Sequence, residues 1–558
     1  MRAESISIHN FRSFADETIA LSPYSLLVGA NNSGKSNVME AIRFFYEKDK
    51  DAKFDESRDI PKFAEKDADS WIEIQYKLTE DEHAQLREEY QQPDRILRLR
   101  KYLRTKELGD DKKPKSGGIY GYVKGELSNS RFYVPLSKLG EIIYIPAVSK
   151  LDEHTKVTGP SALRDLLSTI LNKIAASSPS YDGLLEAFSK FRDGIRLEKT
   201  DDGRSLNELE NEISEEISDW GASFQFTVNP IPPGDIVKSL IGHAIRDGAL
   251  GEEMPASQFG QGFQRHLIFT LIKLDAKYAS APAARSSKEF SPTLTWLLFE
   301  EPEAYLHPSQ IDVLNRSLRS LSQGDCNQVL ITTHSPQFVS KNIEDLPALA
   351  RLRREDVESK VGQVSVSDLE CMLGANQDCL LEWRATGIEV SDEDMEVDME
   401  LVKYCLWLNP LRCSAFFANH VLLVEGPTET ALLGHMLDTG KISCPSGGVF
   451  LVDTMGKWNT HRFMNLFGRL GIPHSVLCDY DAPTPRNDVI RLTIKQSRNP
   501  FTVAIDDFDC ELESFLGIEP MKGHPSRKPQ YVMWNLSRGN ISEGRLTALA
   551  DKVSALLC

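Results

Sequence analysis

Apolar positions in this chain fall into short runs, each closed by a polar or glycine-bearing turn. Tyr24–Val28, Leu294–Phe299, Val329–Thr332, Val421–Val424 and His474–Leu477 are such runs. Their length and β-branched members predict buried strands rather than helices. Ser5–Ile8 alternates polar and apolar, as a half-buried strand does, and Trp71–Leu78, Arg95–Leu103 and Arg131–Pro135 read as further strands. From about Ser161 to Leu250 the period turns helical. Leu163, Leu166, Leu167, Ile170, Leu171 and Ile174 share one face behind a Ser161 cap, and Leu206, Leu209, Ile213, Ile217 and Trp220 share another. The pattern predicts an α/β chain with a helical insert, which the sequence favours slightly as a dimerisation element.

What ends each strand carries the chemistry. Tyr24–Val28 runs into Gly29-Ala30-Asn31-Asn32-Ser33-Gly34-Lys35-Ser36 and then a helical segment from Asn37, a full G-x-x-x-x-G-K-[ST] match in its proper context. Backbone amides of Gly29, Asn32, Gly34 and Asn37 would face phosphates, Lys35 would reach the β- and γ-phosphates of ATP, and Ser36 would ligate Mg²⁺. Leu294–Phe299 ends in Glu300 and Glu301, an arrangement in which the first acid holds a metal-bound water and the second polarises the attacking water. Ser257, Gly260 and Gly262 open a helix with amides fit to hold a γ-phosphate from across a dimer, and His334 ends the strand at Val329–Thr332.

Two more strands end in acids. Val421–Val424 runs into Glu425, with Glu429 one helical turn later, and His474–Leu477 runs into Asp479 and Asp481, which share a side of an extended segment. A strand-end acid in a parallel sheet faces the carboxyl edge, where open α/β folds bind ligands. Oxygen donors so placed suit Mg²⁺ or Mn²⁺. Downstream, Glu511 and Glu513 are candidates to complete a second metal site, and Arg545 or Lys552 a candidate phosphate neutraliser. The best basic patch is Arg95, Arg98, Arg100, Lys101 and Arg104 with Lys112, Lys113 and Lys115, as consistent with a solvated sheet face as with nucleic-acid contact.

Glu425, the Asp453–Gly456 turn and the Asp479/Asp481 pair together resemble a Toprim domain. The five elements of the first 345 residues resemble the ABC-type ATPases of the SMC, Rad50 and RecF group. That resemblance implies nucleotide on Lys35 and Ser36, a trans signature at Ser257–Gly262, Glu301 as catalytic glutamate and His334 as switch histidine. No glutamine marks the Q-loop; Tyr144-Ile145-Pro146-Ala147 stands where it belongs. The order ATPase then Toprim is similar to the OLD (overcoming lysogenisation defect) family, which includes nucleases of Gabija and retron defence systems. It implies an ATP-gated, metal-dependent DNA endonuclease in antiviral defence. Catalysis would fall to Glu425 and Asp479, with metal on Glu425, Glu429, Asp479, Asp481, Glu511 and Glu513. It also implies a homodimer or higher assembly and leaves room for a helicase or a retron RNA/DNA partner.

Composition bounds rather than decides. At 558 residues the chain exceeds one core, and the motifs divide it into an ATPase domain (1–345, insert about 160–250), a charged connector (346–415) and a Toprim domain (416–558). Nine cysteines without a CxxC pair argue against zinc knuckles and disulfides and suit a reducing cytoplasm. No run is long enough to span a bilayer. A net charge of −18 argues against coating DNA by bulk charge and leaves contact to local patches. Two alternatives stay open: a Toprim ribonuclease that cuts tRNA, and a RecF-like repair ATPase whose Toprim domain is non-catalytic.

Overall fold

A computed structural model describes residues 1–47, 53–63, 67–147, 179–195, 198–200, 205–226, 244–255, 258–279, 290, 292–324, 326–339, 342–444, 448–480, 484–521 and 524–557. The strands in chain order are β1 (Arg2–Phe11), β2 (Phe14–Ala20), β3 (Tyr24–Val28), β4 (Ser70–Lys77), β5 (Ile96–Arg104), β6 (Ile119–Val123), β7 (Glu126–Arg131), β8 (Glu141–Ile145), β9 (Ile245–Arg246), β10 (Glu253–Met254), β11 (Thr295–Glu300), β12 (Asn327–Thr332), β13 (Leu349–Glu355), β14 (Glu358–Gln363), β15 (Val421–Val424), β16 (Phe450–Asp453), β17 (His474–Asp479) and β18 (Thr502–Phe508). The chain divides into two compact units, residues 1–147 with 287–558, and residues 148–286.

In the larger unit an antiparallel sheet runs β2-β1-β4-β5-β6-β7, and a second sheet runs β14-β13-β3-β12-β11-β8. The apolar runs β3, β11 and β12 are central and parallel, which is why they read as continuous rather than alternating. One core joins both sheets and the helix Lys35–Tyr46, whose Val38, Met39, Ile42 and Phe45 are buried at helical spacing. Within it the Trp296 indole donates to the Tyr46 hydroxyl at 3.1 Å, and Tyr46 and Tyr76 hydroxyls meet at 2.8 Å. These bonds satisfy the aromatic polar tips that burial would otherwise penalise.

The Toprim sheet is wholly parallel, in the order β16-β15-β17-β18. Its core gathers Leu422, Val424, Leu432, Met436, Leu477, Phe508, Leu549 and Val553 from strands and helices of residues 421–557.

Residues 346–415, read as a charged, irregular connector with room for helices, begin with two strands. Strand β13 pairs in parallel with β3 and antiparallel with β14, so 349–363 completes the ATPase sheet. Helices Val366–Ala385 and Val397–Trp407 follow. The acid-rich stretch Glu389–Glu400 ends in a residue that is not solvated: Glu400 is fully buried and takes two bonds from Arg462, at 2.6 and 2.7 Å. Charge alone could not distinguish a solvated acid from one awaiting a distant guanidinium.

The smaller unit contains the helices Pro179–Ile195, Leu206–Glu216 and Gln261–Ala279 and the β9–β10 hairpin. Ser205 and Glu208 cap Leu206–Glu216 reciprocally. Leu209 and Trp220 of the expected apolar face are exposed. The face read at Leu163–Ile174 lies outside the described residues.

Arg351 on β13 ties the second sheet to residues 416–471. Its guanidinium donates to the carbonyls of Phe416 (3.1 Å), Ala418 (2.7 Å) and Gly471 (2.7 Å). Replacing it with methionine leaves three carbonyls without their donor, and each buried unsatisfied group costs about 1–3 kcal/mol. Arg351→Met is expected to lower stability by about 3 kcal/mol or more, read as a fall in the urea midpoint.

Candidate nucleotide and nuclease sites

The loop after β3 needs glycine for two reasons. Gly29 and Gly34 have φ of +141° and +104°, in the region L side chains rarely adopt. A Cβ on Gly29 would also lie 2.1 Å from the Leu352 carbonyl oxygen, and one on Gly34 would lie 2.5 Å from Ser359 Oγ. The β13–β14 hairpin therefore forms the back wall of the phosphate loop. Lys35 begins the helix, buried, with Nζ donating to the carbonyls of Gly29 and Ala30 at 2.9 Å each. Burial pushes its ammonium down to about 8, against the pull of the Glu301 and Glu303 carboxylates. A buried cation held by carbonyls in a glycine cradle fits a phosphate chain. Ser36 is exposed on the same helix. Asn37, expected at the nucleotide through its amide, uses its side chain to donate to Ser13 Oγ at 2.8 Å.

Glu300 ends β11 and Glu301 follows with φ of +41°. His334 Nε2 stands 3.5 Å from Glu301 Oε1. Burial and Lys35 push the imidazole down, while Glu301 pulls it up. Sequence reading overlooked Glu303, which accepts from Thr333 Oγ1 (2.8 Å) and the His334 amide (2.7 Å) and so fixes the loop that carries the histidine. It also found no role for Tyr144. That hydroxyl donates to Glu300 at 3.0 Å, and burial followed by Glu300 raises its pKa. A tyrosine thus occupies the place where a glutamine was sought. His307 caps the helix Pro308–Ser322. Gly260 precedes and Gly262 lies within the helix Gln261–Ala279 of the smaller unit, while Ser257 lies outside the described residues. A cleft of about 480 Å³ beside the phosphate loop is lined by Arg12, Ser13, Asn37, Arg58, Lys62 and Arg354, a third feature that sequence reading did not single out.

At the other site, parallel pairing of β15 with β17 brings Glu425 and Asp479 to one sheet edge. The Asp479 amide donates to Glu425 Oε2 at 3.4 Å. Glu429 is the third residue of the helix Pro427–Asp438 and accepts from the Gly426 amide at 2.9 Å. Burial pushes its carboxyl up to about 7, with Glu425 and Glu513 adding like-charge repulsion. Asp479 accepts from the Leu512 amide at 3.2 Å, which draws the segment of Glu511 and Glu513 to the same place. Glu513 is buried, whereas Glu511 is partly exposed. Asp481 lies outside the described residues, and among those described no three acid, imidazole or thiol groups close into a finished metal cage. Crowded oxygen donors whose charges repel one another are nevertheless the donor set that Mg²⁺ or Mn²⁺ would relieve.

The cation facing these acids is Lys528, with Nζ 3.2 Å from Glu513 and 4.0 Å from Glu511. Lys552, a sequence candidate for that task, is paired with Asp506 at 2.6 Å, and Arg545 lies near Gly517. Lys457 is buried behind the edge, with Nζ 3.5 Å from the Asp479 carbonyl oxygen. No spacing rule links Lys528 to acids fifteen or more residues away; only the fold does. Much of the basic patch is engaged within the protein, while Lys112 and Lys113 are exposed. Arg98 and Arg100 hold Glu73 at 2.6 and 2.8 Å, Lys101 is buried on the Phe44 and Phe45 carbonyls, and Lys115 pairs with Glu107.

Among known families, the AAA ATPase domain matches residues 1–339, and the overcoming lysogenization defect protein-like TOPRIM domain matches residues 416–481. Old nuclease of Escherichia phage P2 is 26% identical over 515 residues, covering 86% of this chain and 77% of that protein. Endonuclease GajA of Bacillus cereus is 24% identical over 514 residues, covering 86% and 75%. OLD nuclease of Thermus scotoductus is 20% identical over 497 residues, covering 85% and 81%.

Glu429 makes a pH test of the carboxylate crowding. A carboxyl raised from 4.5 to about 7 on folding costs stability once pH passes the lower value, and the cost is complete above the higher one. Glu429→Gln keeps an acceptor for the Gly426 amide and removes that cost. In chelator at pH 8 the variant is expected to be more stable than wild type by roughly 2–3 kcal/mol, the gap closing as pH falls to 4.5. Calorimetric melting across that range checks both the sign and the closure.

Proposed function

Because the chain belongs to the OLD family, an AAA ATPase domain followed by an OLD-like Toprim domain, we propose that it is a metal-dependent DNA endonuclease whose nucleotide state controls the Toprim site. The observation that carries the reading is the convergence of Glu425, Glu429, Asp479 and Glu513 at one sheet edge, with Lys528 beside them. Glu425, Glu429, Asp479 and Asp481, with Glu511 and Glu513, would hold Mg²⁺ or Mn²⁺. Such ions, when bound, supply an activated water and charge stabilisation for phosphodiester hydrolysis. Lys528 is placed to neutralise charge on the phosphate, and Glu425, at the strand end, to take a proton from water.

On the ATPase side, Lys35, Ser36 and Glu300 would bind ATP with Mg²⁺, Glu301 would polarise water, and His334 would sense the γ-phosphate. Ser257, Gly260 and Gly262 would complete the site from a second copy. The exposed Leu209 and Trp220 support the smaller unit as the dimerisation element. Control of the nuclease is supported by the β13–β14 hairpin, which backs Gly29 through Leu352 and grips Toprim carbonyls through Arg351. A shift of the phosphate loop has a packed route to the Toprim region. A helicase or retron partner, and a role in antiphage defence, rest on the family resemblance.

Supercoiled plasmid and total tRNA, incubated with purified protein and Mg²⁺ or Mn²⁺, with and without ATP, provide the test. Nicking or linearisation is expected, lost in Asp479→Ala and reduced at least 100-fold in Lys528→Met. Glu301→Gln gives the sign of ATP control. Cut tRNA beside intact plasmid would replace the DNA reading with the RNA one. In cells, lower phage plating on wild type than on Asp479→Ala is expected.

A further inference from the structure

The helix Lys528–Ser537 does more than bring a cation to the acids. It packs on the helix Pro427–Asp438, which carries Glu429. At about 100° per residue, Arg527, Gln530, Tyr531, Trp534 and Arg538 fall on one side of it, flanking Lys528. Trp534 is 53% exposed, an unusual placement for the largest apolar side chain. The Arg538 guanidinium lies 5.6 Å from the Trp534 ring, and the Tyr531 hydroxyl is anchored to the Glu519 carbonyl at 3.0 Å. Met521, Arg527, Gln530, Tyr531 and Trp534 line a cleft of about 370 Å³.

Charge singles out the same place. The chain has 82 acidic residues, yet Pro520 to Ser542 contains none. Among the described residues, neither Arg527 nor Arg538 pairs with a carboxylate. An arginine-flanked indole and phenol on the helix that brings Lys528 to the acid cluster matches the chemistry of an unpaired nucleic-acid strand. Arginines track its backbone, and aromatic faces stack its bases. A paired base offers no open face to an indole, so the surface discriminates strand state.

We propose that Tyr531, Trp534, Arg527 and Arg538 form a stacking platform that holds unpaired bases of the substrate next to the Toprim acids. The proposal rests on the nuclease reading for the identity of the neighbouring site. The platform favours substrates with locally open strands over uniform duplex. Lys528 begins the helix and Trp534 lies six residues on, about 9 Å along the axis.

The test is fluorescence anisotropy of the full chain in chelator, with a labelled 12-nucleotide oligo-dT, an oligo-rU of the same length and a 12-base-pair duplex. Wild type is expected to bind single strands more tightly than duplex. Trp534→Ala weakens single-strand binding about tenfold or more, Trp534→Phe restores most of it, and duplex binding is unmoved. Arg527→Gln weakens binding and flattens its salt dependence. The dT and rU arms decide between DNA and RNA as the source of the strand. An unchanged melting temperature shows that Trp534→Ala is folded. Equal single-strand binding by wild type and Trp534→Ala, or no single-strand binding by wild type, overturns the platform. Plasmid cleavage reports separately on the nuclease: Trp534-dependent binding without cleavage keeps the platform and removes the nuclease reading, and cleavage without Trp534 dependence does the reverse.

Discussion

A buried guanidinium is tolerable only when acceptors surround it, and Arg351 has three backbone carbonyls, all from the Toprim side. Burial, with Arg353 nearby, pushes its pKa down to about 10, so the charge is held in place by those dipoles rather than by a counter-ion. Its strand neighbour, Leu352, presents the carbonyl against which Gly29 must be glycine. Two adjacent residues of β13 thus meet the phosphate loop and the segments that lead into β15 and β17. Everything proposed about communication between the sites depends on this stretch, which composition alone would assign to a linker.

The two sites manage charge in opposite ways. At the loop after β3 a buried cation, Lys35, has its pKa lowered by burial and donates to two carbonyls. At the Toprim edge several carboxylates crowd together, and Glu429 is raised toward neutrality. Each shift has the sign that an ion of opposite charge would offset. Perturbed groups of this kind cluster where proteins bind and react, although ion-pair networks such as Glu400 with Arg462 perturb pKa for structural reasons alone.

The net acidity of the chain conceals an uneven distribution. The arginines of β5, the densest cations in the sequence, neutralise Glu73 and stack on Trp71 and Tyr122. The sparser cations of residues 520–542 have no acids among them and meet solvent beside Trp534. Density of charge along the chain is a poor guide to a binding surface, because neighbouring strands bring partners that the linear order does not show.

The sequence by itself determined the strands that carry the acids, the phosphate loop and the order of the two domains. These are local signals: apolar run length sets burial, strand ends point to a sheet edge, and glycine and lysine spacing fixes a loop. The placing of Glu425, Glu429 and Asp479 at one sheet edge, and of Lys35 and Glu301 just beyond strand ends, was legible for that reason. The tertiary structure alone decided which strands are neighbours. It brought Lys528 to Glu513, put Tyr144 on Glu300, made β13 and β14 part of the ATPase sheet, and buried Glu400. Such partners lie tens to hundreds of residues apart, and their meeting is set by sheet order and helix packing, quantities that no local period encodes.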